Sequence, residues 1–173
     1  DNLLIDEKTG NAKFRDFLRD EGAMARLFER FVFNFYRREQ TCFEVRSDRI
    51  TWQDVVADEG DLRLLPGMRT DVSLVSARRY IVLDTKYYAN SLQSFFGSET
   101  VHSANLYQLF AYLRNLQIAE AGKRQVEGIL LYPTVSKTLD LKYVIHGYPI
   151  RVVTLDLNTP WNHINHKLMA LME

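Results

Sequence analysis

Along residues 14–38 the apolar positions recur at helical spacing, with Met24, Leu27, Phe28, Phe31 and Phe35 on one stripe and Asp20 placed to cap its central part. The stripe weakens around Gly22, which predicts a break or kink there. β-Branched and aromatic residues then crowd 41–56, a strand signature, with Ser47-Asp48 as one turn and Asp58-Glu59-Gly60-Asp61 as a firmer one. Pro66-Gly67 is another turn, and two further strands are predicted at 69–75 and 80–88, joined across Ser76-Ala77-Arg78-Arg79. Residues 89–103 are polar and serine-rich and read as a mobile loop. Leu106, Leu109, Phe110, Leu113 and Leu116 mark a second amphipathic helix from 104 to about 121, closed near Gly122. A short buried strand at 128–132 ends at Pro133, and runs 139–145 and 150–157 form a pair around Gly147. Thr159-Pro160 supplies an N-cap and a first-turn proline for a last helix through Leu171. This order predicts an α/β or α+β domain around a mixed sheet.

The length of 173 residues fits one domain with a real core. A hydrophobic share of 46% with 25% charged residues excludes a disordered tail or a collagen-like rod. Twenty-two basic residues balance 22 acidic ones, so no bulk positive field draws the chain to nucleic acid and any basic surface must be local. The one cysteine, Cys42, cannot close an intrachain disulfide and reads as a buried small hydrophobe; no Cys/His cluster has zinc-site spacing. That suits a cytoplasmic protein. The first residues carry no basic stretch followed by an apolar one, and no run approaches a membrane span. The first residue is Asp rather than Met, so the chain reads as a piece of something longer.

The chemistry concentrates between Arg69 and Tyr88. Side chains two apart on a strand share a face, so Asp84 and Lys86 project together, directly after the apolar run Ile81-Val82-Leu83 of a buried strand. A buried carboxylate and ammonium are costly unless paired or bound to something. A tight hairpin centred between Ala77 and Arg78 pairs residues whose numbers sum to 155, which sets Asp71 opposite Asp84. Directly opposite residues have Cβ atoms about 4.5–5.5 Å apart, so two carboxylates would share one pocket. They repel unless one is protonated or a hard cation such as Mg²⁺ lies between them. Lys86 could then hold a phosphate oxygen or the attacking water, a set of roles that describes metal-assisted phosphodiester hydrolysis. The bland alternative is a surface hairpin with a solvated Asp–Lys pair. Ala-Arg is not a favoured hairpin turn, and one residue of slip would move Asp71 to the other face.

Asp71, then Asp84-Thr85-Lys86, with an acidic residue on the helix before them, resembles the PD-(D/E)xK nuclease superfamily. Gln108-Leu-Phe-Ala-Tyr112 is similar to the Gln-x-x-x-Tyr element of RecB-like members. Leu-Phe-Glu29-Arg-Phe-Val, Leu-Asp84-Thr-Lys86-Tyr and Asn105-Leu-Tyr-Gln-Leu-Phe-Ala-Tyr together resemble the McrC-type subunit of 5-methylcytosine-dependent restriction systems, from about residue 20 to 135. The resemblance implies a restriction-endonuclease-like α/β fold, with a mixed central sheet flanked by helices, and a single nuclease domain over 1–173 without the amino-terminal region of the full-length family. It implies Mg²⁺ or Mn²⁺ on Asp71, Asp84 and the Thr85 backbone carbonyl, with Glu29 reaching the metal directly or through water. Lys86 is then the catalytic lysine, and Gln108 and Tyr112 line the DNA side. Thr70 stands where the superfamily name has Pro. The implied substrate is double-stranded DNA and the implied partner a GTP-hydrolysing AAA+ subunit that recognises modified DNA. Two rivals are a RecB-like repair or recombination nuclease and a catalytically silent module that docks a partner.

Other residues carry weaker signals. Glu29 lies on the flank of its helix stripe, where a solvated glutamate beside Arg30 is the alternative. Gln108 and Tyr112, one turn apart, could equally be a boundary hydrogen-bonding pair. Arg37-Arg38 and Arg78-Arg79 could touch phosphates, or be ordinary exposed pairs. His163 and His166 lack a third ligand at clear spacing; His102 sits in the loop beside the proposed cleft; Trp52 reads as core.

Overall fold

The computed structural model describes residues 20–88, 93–95, 98–135 and 137–173. Its elements run α1 (Glu21–Glu39), β1 (Glu44–Arg46), β2 (Arg49–Ile50), α2 (Glu59–Leu62), β3 (Met68–Arg69), β4 (Val72–Val75), β5 (Arg79–Thr85), β6 (Gln93–Phe95) and β7 (Ser98–Thr100). They continue with α3 (Ser103–Glu120), β8 (Gln125–Pro133), β9 (Asp140–Ile145), β10 (Tyr148–Leu155), α4 (Trp161–Met169) and a closing 3-10 turn, Ala170–Met172. A six-stranded sheet is ordered β1-β4-β5-β8-β10-β9. The β5–β8 and β8–β10 pairs are parallel, and the others are antiparallel.

Period-two alternation sorts the two faces. Val72, Leu74, Ile81, Leu83, Ile129, Leu131, Val153 and Leu155 pack with α1 and α4. Val75, Tyr80, Val82, Val126, Leu130, Tyr132, Ile150 and Val152 pack with α3. The result is a mixed α/β layer structure with helices on both faces of the central sheet. α3 comes so close to β8 that a Cβ on Gly128 would lie 2.9 Å from Leu109 Cδ2 and from Leu113 Cδ1. The β9–β10 hairpin turns on His146 and Gly147, both with positive φ (50° and 86°), a backbone that only a residue tolerant of the left-handed region adopts.

Several expectations change. The Asp20 carboxylate does accept from the Ala23 amide as a cap, but α1 runs through Gly22 without a break. A first-turn glycine costs propensity there, and packing of the later turns outweighs it. The buried face is Ala23, Phe28, Val32, Phe35 and Tyr36, rotated from the predicted stripe; Leu27 is exposed. Residues 14–19 of the predicted helix lie outside the described residues. The predicted strand 41–56 divides into β1, in the main sheet, and β2, which pairs only with β3. Trp52 lies in the following irregular stretch, partly buried, its Nε1 donating to the Pro66 carbonyl. Asp58 to Asp61 opens a short helix rather than a simple turn. The predicted strand 69–75 breaks at Thr70-Asp71. Within the predicted loop 89–103, the segments 93–95 and 98–100 pair as a two-stranded ladder; 89–92, 96 and 97 lie outside the described residues. Pro160 itself is the N-cap of α4, with no side-chain cap, one residue later than predicted. Cys42 is exposed, in the bend between α1 and β1, where no element covers it.

Candidate active site

The β4–β5 hairpin has the expected register. Val72 pairs with Leu83 and Val75 with Tyr80; the ladder stops there, one step short of Asp71 and Asp84. Ala77-Arg78 can occupy the turn because Ser76 supplies what the sequence lacks. Its Oγ accepts from the Arg79 amide at 3.1 Å, and its amide donates to the Arg79 carbonyl at 2.9 Å.

The break before β4 is pinned from the side. Thr70 donates its amide to the Asp48 carbonyl at 2.9 Å and accepts from the Asp48 amide on Oγ1 at 2.8 Å. Thr70 Oγ1 and Ser73 Oγ lie 2.8 Å apart, and the Tyr80 hydroxyl reaches both Ser73 Oγ and Asp48 Oδ2. Burial and the Asp48 carboxylate push the Tyr80 phenol up to about 12, so it stays protonated and keeps its donor. Thr70, standing where the superfamily name has proline, thus serves as a polar lock on the chain's direction. Asp71 follows and turns its carboxylate back onto β5. Its Oδ2 accepts from the Thr85 amide at 2.7 Å and from Thr85 Oγ1 at 2.8 Å.

Asp84 is almost wholly buried, at 1% exposure. The Lys86 ammonium lies 2.9 Å from Asp84 Oδ2, as expected of two side chains on one face. The ammonium is the one partner of this buried oxygen among the described residues. Burial drives the Asp84 carboxyl up to about 7, against the attraction of Lys86 and with added repulsion from Asp71 and Glu29. Burial alone would lower Lys86, yet Asp84 and Asp71 outweigh it and hold the ammonium above its usual value. Glu29, on α1 and partly buried, is raised by burial and next by Asp71, against Arg69, Arg30 and Lys86. Three carboxylates and one ammonium therefore share one field.

From the other face, Lys86 Nζ donates to Gln108 Oε1 at 2.9 Å, and Gln108 Nε2 donates to the Tyr112 hydroxyl at 2.7 Å. Tyr112 is buried, so it steadies Gln108 rather than reaching outward. The sequence did not single out a wall beyond Asp84. Tyr88 donates to Asn105 Oδ1 and Asn105 Nδ2 to the Tyr132 hydroxyl, each at 3.1 Å, while the Tyr88 ring stacks on His102 at 4.7 Å. Tyr88 follows Lys86 by two residues, and that parity was the available signal.

The other candidates stand apart. Arg79 forms a bidentate pair with Glu127, and Arg78 lies at the hairpin end of β5, away from Asp84. Arg37 lies over the Phe33 ring. Among the described residues no group of three His, Cys, Asp or Glu side chains is gathered to hold a metal ion, His163 and His166 included. A cation at the aspartate pair would need water or phosphate oxygens to complete its shell, as Mg²⁺ commonly does. Two hard carboxylate donors in one field, with one ammonium between them and a third carboxylate, Glu29, nearby, fit such a cation.

A mixed α/β fold with a carboxylate pair and a lysine at the end of its central hairpin defines the class. The model of the McrBC 5-methylcytosine restriction system component family matches residues 22–133. The chain belongs to that family. It is also 33% identical over 172 residues to the type IV methyl-directed restriction enzyme EcoKMcrBC of Escherichia coli (strain K12), covering 99% of this chain and 49% of the relative. The chain thus spans about half the length of the curated relative it matches. Among the described residues no helix is long and apolar enough to cross a membrane.

Proposed function

We propose that this chain is the DNA-cleaving part of a 5-methylcytosine-directed restriction system, built on a PD-(D/E)xK core and acting in the cytoplasm. The observation that carries the reading is Asp84, a carboxylate at 1% exposure that meets one ammonium, Lys86, at 2.9 Å and lies in the field of two further carboxylates, Asp71 and Glu29. Three interacting carboxylates against one ammonium leave a surplus of negative charge at a buried position, which costs stability unless a further cation meets it. Asp71, Asp84 and the Thr85 carbonyl would hold Mg²⁺ or Mn²⁺, with Glu29 acting through water. When bound, the metal supplies Lewis acidity at the scissile phosphate and a more acidic water.

The chain's own residues do the rest. Thr85 fixes the Asp71 carboxylate through two hydrogen bonds, so the pair is set before substrate arrives. Lys86 is held charged, and Gln108 keeps its ammonium aimed along the cleft, ready to stabilise negative charge that develops on the phosphate. Tyr112 holds Gln108 in turn. Double-stranded DNA is the substrate, and a GTP-hydrolysing AAA+ subunit that recognises the modified base is the partner.

The test pairs Mn²⁺ titration calorimetry with plasmid nicking. Wild-type chain binds Mn²⁺ and nicks; Asp71→Ala and Asp84→Ala do neither and stay folded. Undiminished Mn²⁺ binding by Asp84→Ala would refute the assignment.

A further inference from the structure

The chain has no excess positive charge, so whatever grips the DNA backbone must be local. Among the described residues two strand pairs set cations directly opposite each other: Arg151 and Lys142, where Asp140 pairs with Arg151, and a second pair with no acidic partner. In the two-stranded ribbon of β2 and β3, Arg49 lies directly opposite Arg69, while Ile50 and Met68 of the next pair point into the core. Like charges directly opposite on a ladder destabilise it, and a ladder of two pairs has little to spare. Both arginines are exposed, and neither guanidinium has a carboxylate within ion-pair distance among the described residues. Ser47 Oγ accepts from Arg69 Nε at 3.0 Å, which holds that side chain in place without neutralising it. Arg69 is two residues from Asp71 and acts on Glu29, so the pair borders the carboxylate site. Both line one groove of about 650 Å³ with Trp52 and Leu65. By contrast, Arg46, Arg79, Arg124 and Arg151 each have an acidic partner.

We propose that the β2–β3 ribbon grips the DNA backbone beside the cleavage site, Arg49 and Arg69 each holding a phosphate of the strand that is cut. The planar fork of a guanidinium suits phosphate oxygens, and two phosphates remove the repulsion that the ribbon carries alone. The proposal rests on the nuclease reading for its substrate and adds the element that places the substrate.

The experiment measures anisotropy of a labelled, unmodified duplex of about 20 base pairs with the full chain, in EDTA, across about 30–150 mM NaCl. Arg49→Gln and Arg69→Gln each lower the slope of log affinity against log salt by about 0.9, and weaken binding about eightfold at 0.1 M salt. Arg49→Lys, which keeps the charge, retains most of the slope. Arg78→Gln, at the far end of β5, leaves it unchanged. Slopes unchanged in both glutamine variants, or no measurable binding by the wild-type chain, would overturn the proposal. Plasmid nicking by wild-type chain with Mn²⁺ is scored separately. Nicking with unchanged slopes rejects the ribbon and keeps the nuclease; lost slope without nicking does the reverse.

Discussion

Replacing Asp84 by asparagine should make the metal-free protein more stable at alkaline pH, by an amount that can be worked from the structure. Asp84 is buried and its carboxyl stands near 7 when folded, against an ordinary value of 3.8. The folded state therefore holds this proton more tightly than the unfolded chain. Well below 3.8 both states are protonated and the carboxyl costs nothing. As pH rises towards 7 the unfolded chain releases the proton first, and stability falls. Above 7 the loss is complete. At about 1.4 kcal/mol per unit, a gap of roughly three units corresponds to about 4 kcal/mol. The amide of Asp84→Asn keeps the shape and removes the carboxyl's titration. Apart from a constant offset, the variant should gain about 3 kcal/mol over wild type between about pH 4.5 and about pH 8.5, or roughly 10 °C in midpoint for a chain of this size. Urea melts followed by circular dichroism in EDTA at both pH values measure the difference. Parallel stability curves, with the gap changing by less than about 1 kcal/mol, would show that Asp84 carries no displaced proton and would remove the electrostatic basis of the site.

Lys86→Ala should bind Mn²⁺ at least as tightly as wild type, because the competing ammonium beside Asp84 is gone, yet lose cleavage by orders of magnitude; single-turnover nicking at saturating metal separates the two. Gln108→Ala should leave metal binding intact and lower the cleavage rate by about tenfold, read in the same assay, since it only aims the lysine. Gly128→Ala should destabilise the protein by about 1–3 kcal/mol in urea melts, because the new methyl meets Leu109 and Leu113 at 2.9 Å. The isolated chain should cut methylated and unmethylated duplexes equally and slowly at near-physiological salt; efficient, methylation-selective cutting without partner or nucleotide would reject the reading that target choice comes from another subunit.

The Asp84–Lys86 contact was legible in the chain because a two-residue period is unforgiving. Once Ile81-Val82-Leu83 is read as a buried strand, Asp84 and Lys86 must share a face, and a hairpin closing at Ala77-Arg78 pairs Val72 with Leu83, the step next to Asp71 and Asp84. The turn looked unfavourable only because the contribution of Ser76 is a hydrogen bond from a side chain outside the loop. The break at Thr70-Asp71 was not legible. Its cause is contacts with Asp48, Ser73 and Tyr80, distant in sequence, while the local pattern runs on as one strand. The face of α1 was misjudged for a related reason. Phe31, Val32, Phe33, Phe35 and Tyr36 cover more than one side, so periodicity alone leaves several rotations open, and packing on β4 and β5 selects one. The placement of Glu29 beside Asp71 follows from that rotation, and no spacing rule could have supplied it.

Stability and chemistry pull against each other at Asp84. A carboxylate at 1% exposure, in the field of two further carboxylates, lowers the stability of the chain that carries it. The Lys86 ion pair recovers part of that loss. A cation bound there would stabilise the fold by the free energy of its own binding. Lys86 itself is held from two sides, by Asp84 at 2.9 Å and by Gln108 Oε1 at 2.9 Å, so changing either partner should alter where its ammonium sits.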